Sequence, residues 1–164
     1  MNDEERRIRG YLQAQGAKLS PADVIDKVRA AMADLRRAAL AVPAPRFSER
    51  PAPDEWSGDE VMAHVVDAGR HFGDQVVAIL DGATAPARER ETATRTAAEW
   101  CAILERDRDA LFARALAADP RARLDAAIEH RMFGPLNWRE VMLFMRLHDL
   151  DHAGQLQKIA TALG

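Results

Sequence analysis

Four stretches of the chain repeat apolar side chains at the three- and four-residue spacing of an α-helix, and a capping residue precedes each stretch. The caps are Ser20, Ser57, Thr96 and Asn137. A side-chain oxygen at such a position accepts a hydrogen bond from a backbone amide of the first helical turn, so the caps locate the helix starts. No strand-like alternation of useful length and no repeat of about 20 to 50 residues is visible. The pattern predicts an all-α fold.

Turn residues mark where the predicted helices end. Pro43 and Pro45 end the first helix, because proline lacks the backbone N–H that a helix interior needs. Asp81-Gly82 ends the second helix and Asp119-Pro120 ends the third. Loops are predicted over 46–55 and 83–94. Over 121–136 we expect a short turn of helix followed by a Phe133-Gly134-Pro135 bend. A fourth helix is then predicted to reach Leu163.

Residues 20–164 are predicted to form one domain, an antiparallel four-helix bundle. A chain of 164 residues is long enough for one substantial core, and long helices joined by proline-rich loops are typical of bundles. Residues 1–19 precede the bundle as an extension. Ile8, Tyr11 and Leu12 share one helical face in this extension, which predicts a short additional helix.

Charge and cysteine content exclude several classes of function. The formal net charge is -3 and acidic and basic residues interleave, so no basic surface for nucleic acid is expected. No run of about 18 apolar residues is present that could span a membrane. Cys101 is the only cysteine, which excludes an internal disulfide and a zinc site with several thiolates. A reducing cytoplasm is therefore the expected location.

His148 and His152 are the most informative pair in the sequence. A helix turns about 100° and rises about 1.5 Å per residue, so the two imidazoles point about 40° apart and lie about 6 Å apart along the axis. Buried imidazoles cost free energy unless their nitrogens find partners, and a metal ion satisfies one nitrogen on each. Ordinary core histidines, or a solvated helical patch, are the alternative interpretations. The pair lies within the apolar stripe that Val141, Phe144, Met145 and Ile159 form.

His64 is the best candidate for a third ligand. It lies beside Val61 and Val65 on the second predicted helix, and antiparallel packing against the fourth helix would bring it to the depth of the pair. Three histidines that leave one coordination position open are typical of catalytic sites. Imidazole ligands favour zinc or nickel over magnesium or calcium.

Residues around the three histidines have weaker claims to a role. Gln155 lies about 20° from His148 on the helical wheel, where it could contact a ligand or bound water. His130 is an undetermined neighbour on the substrate side. Asp149 and Asp151 could accept from ring N–H groups, but solvent-facing positions are the stronger interpretation of both. His71 is expected to be an exposed side chain. Trp56 is expected to pack at the bundle end, and Cys101 is expected to be a packed small residue.

Two motifs resemble those of the DinB-like superfamily. Residues 56–64, W-S-G-D-E-V-M-A-H, resemble the W-S-x-x-E-hydrophobic-x-x-H opening of the second helix in that superfamily. His130 to Gly134 resembles its H-x-x-F-G bend, and His148 to Gln155 resembles its H-D-x-x-H-x-x-Q helix. The resemblance covers most of the chain from about Ser20 onward.

This resemblance implies an antiparallel four-helix bundle in which His64, His148 and His152 bind one divalent ion, with zinc or nickel as the expected metal. Relatives include bacillithiol-dependent transferases and mycothiol-dependent maleylpyruvate isomerases, and the isomerases have a carboxylate where this chain has His148. The implied function is metal-dependent activation of a low-molecular-weight thiol, or of water, for attack on a small electrophile. The alternative is a non-catalytic bundle that binds a metal or a small ligand.

A homodimer is also expected. The resemblance implies it, and Met142 and Leu150 are apolar positions of the fourth helix that lie outside its central stripe.

Overall fold

Helices account for most of the computed structural model, which describes all 164 residues. The helices are α1 (Asp3–Lys18), α2 (Pro21–Ala41), α3 (Gly58–Asp81), α4 (Ala97–Leu116) and α5 (Trp138–Leu163). The strands β1 (Ile128–His130) and β2 (Gly134–Leu136) form an antiparallel hairpin between α4 and α5. None of the helices has the length and apolarity of a membrane span. The predicted all-α bundle with an additional amino-terminal helix is confirmed.

The predicted helix caps all form. The side chains of Ser20, Ser57, Thr96 and Asn137 each accept a hydrogen bond from the backbone amide three residues later. In the last three cases, a glutamate at that later position also binds the amide of the cap, which completes a capping box. These bonds satisfy amides that have no partner within the helix, so the starts of α2 to α5 are defined by local sequence.

The core lies between α2, α3, α4 and α5. Its apolar side chains come from the stripes predicted for these helices, and each such side chain stabilises the fold by about 1.5–3 kcal/mol when fully buried. Helix α1 packs on the outside of α5 through the buried Leu12 and through a 2.8 Å hydrogen bond from Arg146 to the Tyr11 hydroxyl. Fully buried members of the core include Val28, Leu35, Val61, Val65, Val141 and Leu156.

Helices α3 and α4 run parallel to each other. Asp59 at the start of α3 binds Trp100 at the start of α4, and Asp81 at the end of α3 binds Arg114 near the end of α4. By contrast, α5 runs antiparallel to α3. Phe72 in the second half of α3 meets Phe144 in the first third of α5, whereas His64, earlier in α3, meets His148, later in α5. The predicted antiparallel arrangement therefore holds for α3 and α5, whereas α3 and α4 form a parallel pair.

The segment of residues 83–96, which we call the strap, makes the parallel pair possible. Helix α3 has 24 residues and spans about 36 Å, and the strap can reach about 46 Å when extended. It contains no helix or strand and runs back along α3. The Glu91 amide donates to Asp67 (2.8 Å) and the Arg95 amide donates to Asp59 (2.9 Å). These side chains on α3 hold the strap in place.

The prediction for residues 121–136 was wrong in one respect. A turn-rich segment leads into the β1–β2 hairpin, in place of the expected turn of helix. Each strand has three residues, which is too short for an alternating pattern to be recognised in the sequence. Gly134 has a positive φ of 72°, a conformation that glycine adopts without steric cost, and this residue belongs to the bend that was predicted.

We expect Asp59→Ala to lower the free energy of unfolding by about 2–3 kcal/mol. The substitution removes the acceptor of the buried Trp100 indole N–H and of the Arg95 amide, and an unsatisfied buried donor costs about 1–3 kcal/mol. Urea unfolding at neutral pH measures the change. Asp26→Ala, at an exposed position of α2, should change stability by less than about 0.5 kcal/mol. Equal losses in the two variants would contradict this role of Asp59.

Candidate metal centre

Three imidazole rings from two helices meet at one place. His64 projects from α3, and His148 and His152 project from adjacent turns of α5. The His64 Nε2 atom lies 3.1 Å from His148 Nε2, which in turn lies 3.2 Å from His152 Nε2. One ring nitrogen of each residue lies within 4.8 Å of those of the other two. Antiparallel packing of α3 and α5 thus gives the register that this cluster needs.

The nitrogen spacing suits a single transition-metal ion. With metal–nitrogen bonds of about 2.0–2.1 Å, ligand nitrogens lie about 3.0 Å apart in an octahedral site and about 3.3 Å apart in a tetrahedral one. The distances of 3.1 and 3.2 Å from His148 Nε2 fall between these values. The third pair, His64 and His152, lies within 4.8 Å, so the cluster could hold a metal ion.

Gln155 defines which nitrogen of His152 faces the cluster. Its Oε1 atom accepts a 2.8 Å hydrogen bond from His152 Nδ1, which places the ring proton on Nδ1 and leaves a lone pair on Nε2. The Nε2 atom of neutral His148 carries at most one proton, so it cannot make full-strength hydrogen bonds to both neighbours. One metal ion satisfies all three lone pairs at once.

Burial favours the neutral form of His148 and His64. It lowers the pKa of His148 to about 2, and the nearby charges of His152, His64 and Arg108 act in the same direction. Burial also lowers the pKa of His64 from its usual value of 6.5, with a smaller contribution from His152. Neutral imidazole is the form that binds metals, so the electrostatics of the cluster favour a metal over protons.

Asp149 is placed differently from the expected solvent-facing position. Its carboxylate is completely buried and accepts two hydrogen bonds from Arg108 of α4, at 2.9 and 3.0 Å. Asp151 is exposed, as expected. Arg108 was not recognised in the sequence, although it interrupts the apolar stripe between Leu104 and Leu111, and a charge in such a position is the signal that could have found it.

His130 contributes to an aromatic layer beside the cluster. Its ring stacks between Phe72 and Phe133, with centroid distances of 5.4 and 4.7 Å, and it meets the edge of Phe144 at 4.5 Å. Its Nδ1 atom accepts backbone amides of the β1–β2 bend, and Phe144 separates it from His148. His130 therefore closes one side of the site without belonging to the three-histidine cluster.

Trp56 was expected to pack at the end of the bundle, but it is partly exposed beside His64. Its side chain is 41% exposed, and its ring centroid lies 5.3 Å from that of His64. His71 was expected to be exposed but is half-buried, and it contacts Gln75 at 2.9 Å, away from the cluster. Cys101 is buried, as expected for a packed residue, and burial raises the pKa of its thiol.

The fold and the cluster together define a helical bundle with a three-histidine cluster that could hold a metal ion. Residues 27–156 match the family model of the DinB superfamily. The match covers well over half of the chain, so the protein belongs to the DinB superfamily. No curated protein matches the sequence.

We expect Asp149→Ala to destabilise the protein by about 3–5 kcal/mol. Removing one partner of a buried ion pair leaves the other charge uncompensated, and Arg108 is only 2% exposed. Thermal or urea unfolding measures the loss. Asp151→Ala, two residues away at an exposed position, should cost less than about 0.5 kcal/mol. A similarly small loss for Asp149→Ala would show that the buried pair contributes little.

The metal-free protein should lose stability in mild acid. Because the pKa of His148 is about 2 in the folded chain and near 6.5 when unfolded, the unfolded state binds more protons below about pH 6.5. Stability is therefore retained above that pH and falls as pH decreases, by about 1 kcal/mol between pH 7 and 5.5 for this group. Urea unfolding of wild type and His148→Gln at both pH values measures the difference. An equal pH dependence in the two proteins would contradict this role of His148.

Proposed function

We propose that the protein binds one divalent transition-metal ion, zinc or nickel, through His64, His148 and His152. We further propose that it is a metal-dependent enzyme that activates a low-molecular-weight thiol, or water, for attack on a small electrophile. The observation that supports the proposal most is the convergence of three ring nitrogens within 4.8 Å of one another, with His148 Nε2 at 3.1 and 3.2 Å from the Nε2 atoms of His64 and His152. Membership of the DinB superfamily supports it independently.

The arrangement of the chain supports a catalytic site more than a closed structural one. His64 and His148 are only partly buried, so the cluster opens towards solvent and a small molecule could approach. Gln155 orients His152, and the aromatic layer around His130 shields the opposite side from water. When bound, the ion would supply Lewis acidity that lowers the pKa of a coordinated thiol or water.

A non-catalytic metal- or ligand-binding bundle is the second candidate. No carboxylate forms a hydrogen bond or ion pair with the three histidines. Of the two that adjoin them in sequence, Asp149 is paired with Arg108 and Asp151 is exposed. A general base is therefore not evident among the residues of the cluster. Turnover of a thiol with an electrophile such as chlorodinitrobenzene, dependent on bound metal, would separate the enzyme from this alternative.

We expect tag-free protein to contain about one equivalent of metal, as measured by elemental analysis. His64→Ala, His148→Ala and His152→Ala should each weaken metal binding by at least about a hundredfold while circular dichroism still reports a helical fold, because each removes one of only three protein donors.

The matched control is His71→Ala, which removes a half-buried histidine of the same helix as His64 and should retain metal. Loss of metal in His71→Ala together with retention in His64→Ala would refute the ligand assignment.

We also propose a homodimer in the cytoplasm. Leu150 is only partly buried within the chain and is available to a partner, whereas Met142 is buried inside the bundle and offers no such surface. Light scattering at micromolar concentration should report twice the mass of 18.2 kDa. A monomer under these conditions would reject the dimer. The buried free thiol of Cys101 is consistent with a reducing compartment.

A further inference from the structure

A cavity of about 430 Å³ lies between the parallel helices α3 and α4. Its size is typical of sites that bind small molecules. None of the three histidines lines it, so binding in this cavity does not depend on the proposed function. The residues that define this α3–α4 cavity include Gly69, Gly73 and Asp74 of α3 and Leu104, Arg108 and Leu111 of α4.

Two glycines of α3, about one helical turn apart, leave this space open. A Cβ on Gly69 would lie 3.5 Å from two nitrogens of Arg108, and a Cβ on Gly73 would lie 3.5 Å from a methyl group of Leu111. Both are ordinary contact distances, so the packing of α3 against α4 would accept alanine at either position. Glycine inside a helix is less favourable than alanine. The two glycines therefore keep the cavity open although packing does not require them.

Arg108 directs one edge of its guanidinium towards this space. Its side chain is only 2% exposed, Nη1 and Nη2 donate to Asp149, and the buried Nε atom has no hydrogen-bond partner. Nε and Nη2 form the edge that lies 3.5 Å from the place of a Gly69 Cβ. Each terminal nitrogen carries two hydrogens, so Nη2 keeps a second N–H beside that of Nε. The two oxygens of a carboxylate match such an edge.

Asp74 supplies a free negative charge in the same cavity. It is exposed and forms no hydrogen bond or ion pair. The other charged groups around it are paired, Arg70 with Asp107 and Arg114 with Asp81. Burial raises the pKa of Asp74, and the nearby charge of Asp107 acts in the same direction. An ammonium group would give this carboxylate the partner that it lacks.

We propose that the α3–α4 cavity binds a small aliphatic molecule with a carboxylate at one end and an ammonium group at the other. The carboxylate accepts from Nε and Nη2 of Arg108, and the ammonium group pairs with Asp74. Asp74 follows Gly69 by five residues, about 7.5 Å along the axis of α3, and a chain of five methylene groups spans a similar length. This chain lies over Gly73 and against Leu111. Such a ligand would satisfy both groups that the fold leaves without partners.

The test uses 6-aminohexanoate, which carries both charged groups at the ends of five methylene groups. Calorimetry should report saturable binding to the full-length protein at millimolar concentration or below. Hexanoate lacks the ammonium group and hexylamine lacks the carboxylate, so each should bind about tenfold more weakly. Absence of saturable binding, or equal binding of the three probes, would overturn the proposal.

Two substitutions test the two predicted contacts. Gly69→Ala should weaken binding of 6-aminohexanoate at least about tenfold, because its methyl group fills the space in front of the Arg108 edge without a clash. Asp74→Asn should weaken binding about tenfold, since it removes the negative charge. The matched control is Gly10→Ala in α1, where a Cβ would meet no atom within 4 Å, and it should bind as wild type does. Urea unfolding checks that each variant is folded. Wild-type binding in both Gly69→Ala and Asp74→Asn would contradict the proposal.

His64→Ala separates this cavity from the candidate metal centre, because a carboxylate can also bind a metal ion. The variant should bind 6-aminohexanoate as tightly as wild type, whatever its metal content. Loss of probe binding in His64→Ala, with unchanged binding in Gly69→Ala, would place the probe at the three histidines and overturn the cavity proposal while leaving the proposed function standing. The reverse result would support the cavity even if elemental analysis finds no metal in wild type, an outcome that would overturn only the proposed function.

Discussion

The buried ion pair between Arg108 and Asp149 restricts the orientation of α5, on which the three-histidine cluster depends. Neighbouring residues of a helix point about 100° apart, so Asp149 faces α4 when His148 faces α3. Two hydrogen bonds to the planar guanidinium allow little rotation of α5 about its axis. The pair therefore supports the direction of His148 without touching the three-histidine cluster.

The Arg108 guanidinium packs against α3 at Gly69. Its Nε atom lies 3.5 Å from the position that a Cβ would occupy on Gly69, which is an ordinary van der Waals distance. The same Nε atom is buried without a hydrogen-bond partner. A buried ion pair with an unsatisfied Nε atom costs free energy. The same pair fixes how α4 and α5 pack against each other.

Much of the fold could be predicted from the sequence because it is determined locally. Caps, prolines and apolar spacing act within a few residues, which is why the starts of α2 to α5 were found. The meeting of His64 with His148 was inferred from helix faces and family resemblance, and in the structure their Nε2 atoms lie 3.1 Å apart. Asp149 and Trp56 were misjudged because their environments depend on residues of other helices, Arg108 and His64.

The parallel packing of α3 and α4 could likewise not be predicted from local sequence, since the strap is held by hydrogen bonds to Asp59 and Asp67 on α3.

This topology also affects the chemistry of the site. Asp67 is engaged by the Glu91 amide and Asp149 by Arg108, so the nearby carboxylates are used for structure. A divalent ion held by three neutral imidazoles would then keep its full charge. That charge would stabilise an anionic ligand such as a thiolate, which is the form of a thiol that attacks electrophiles.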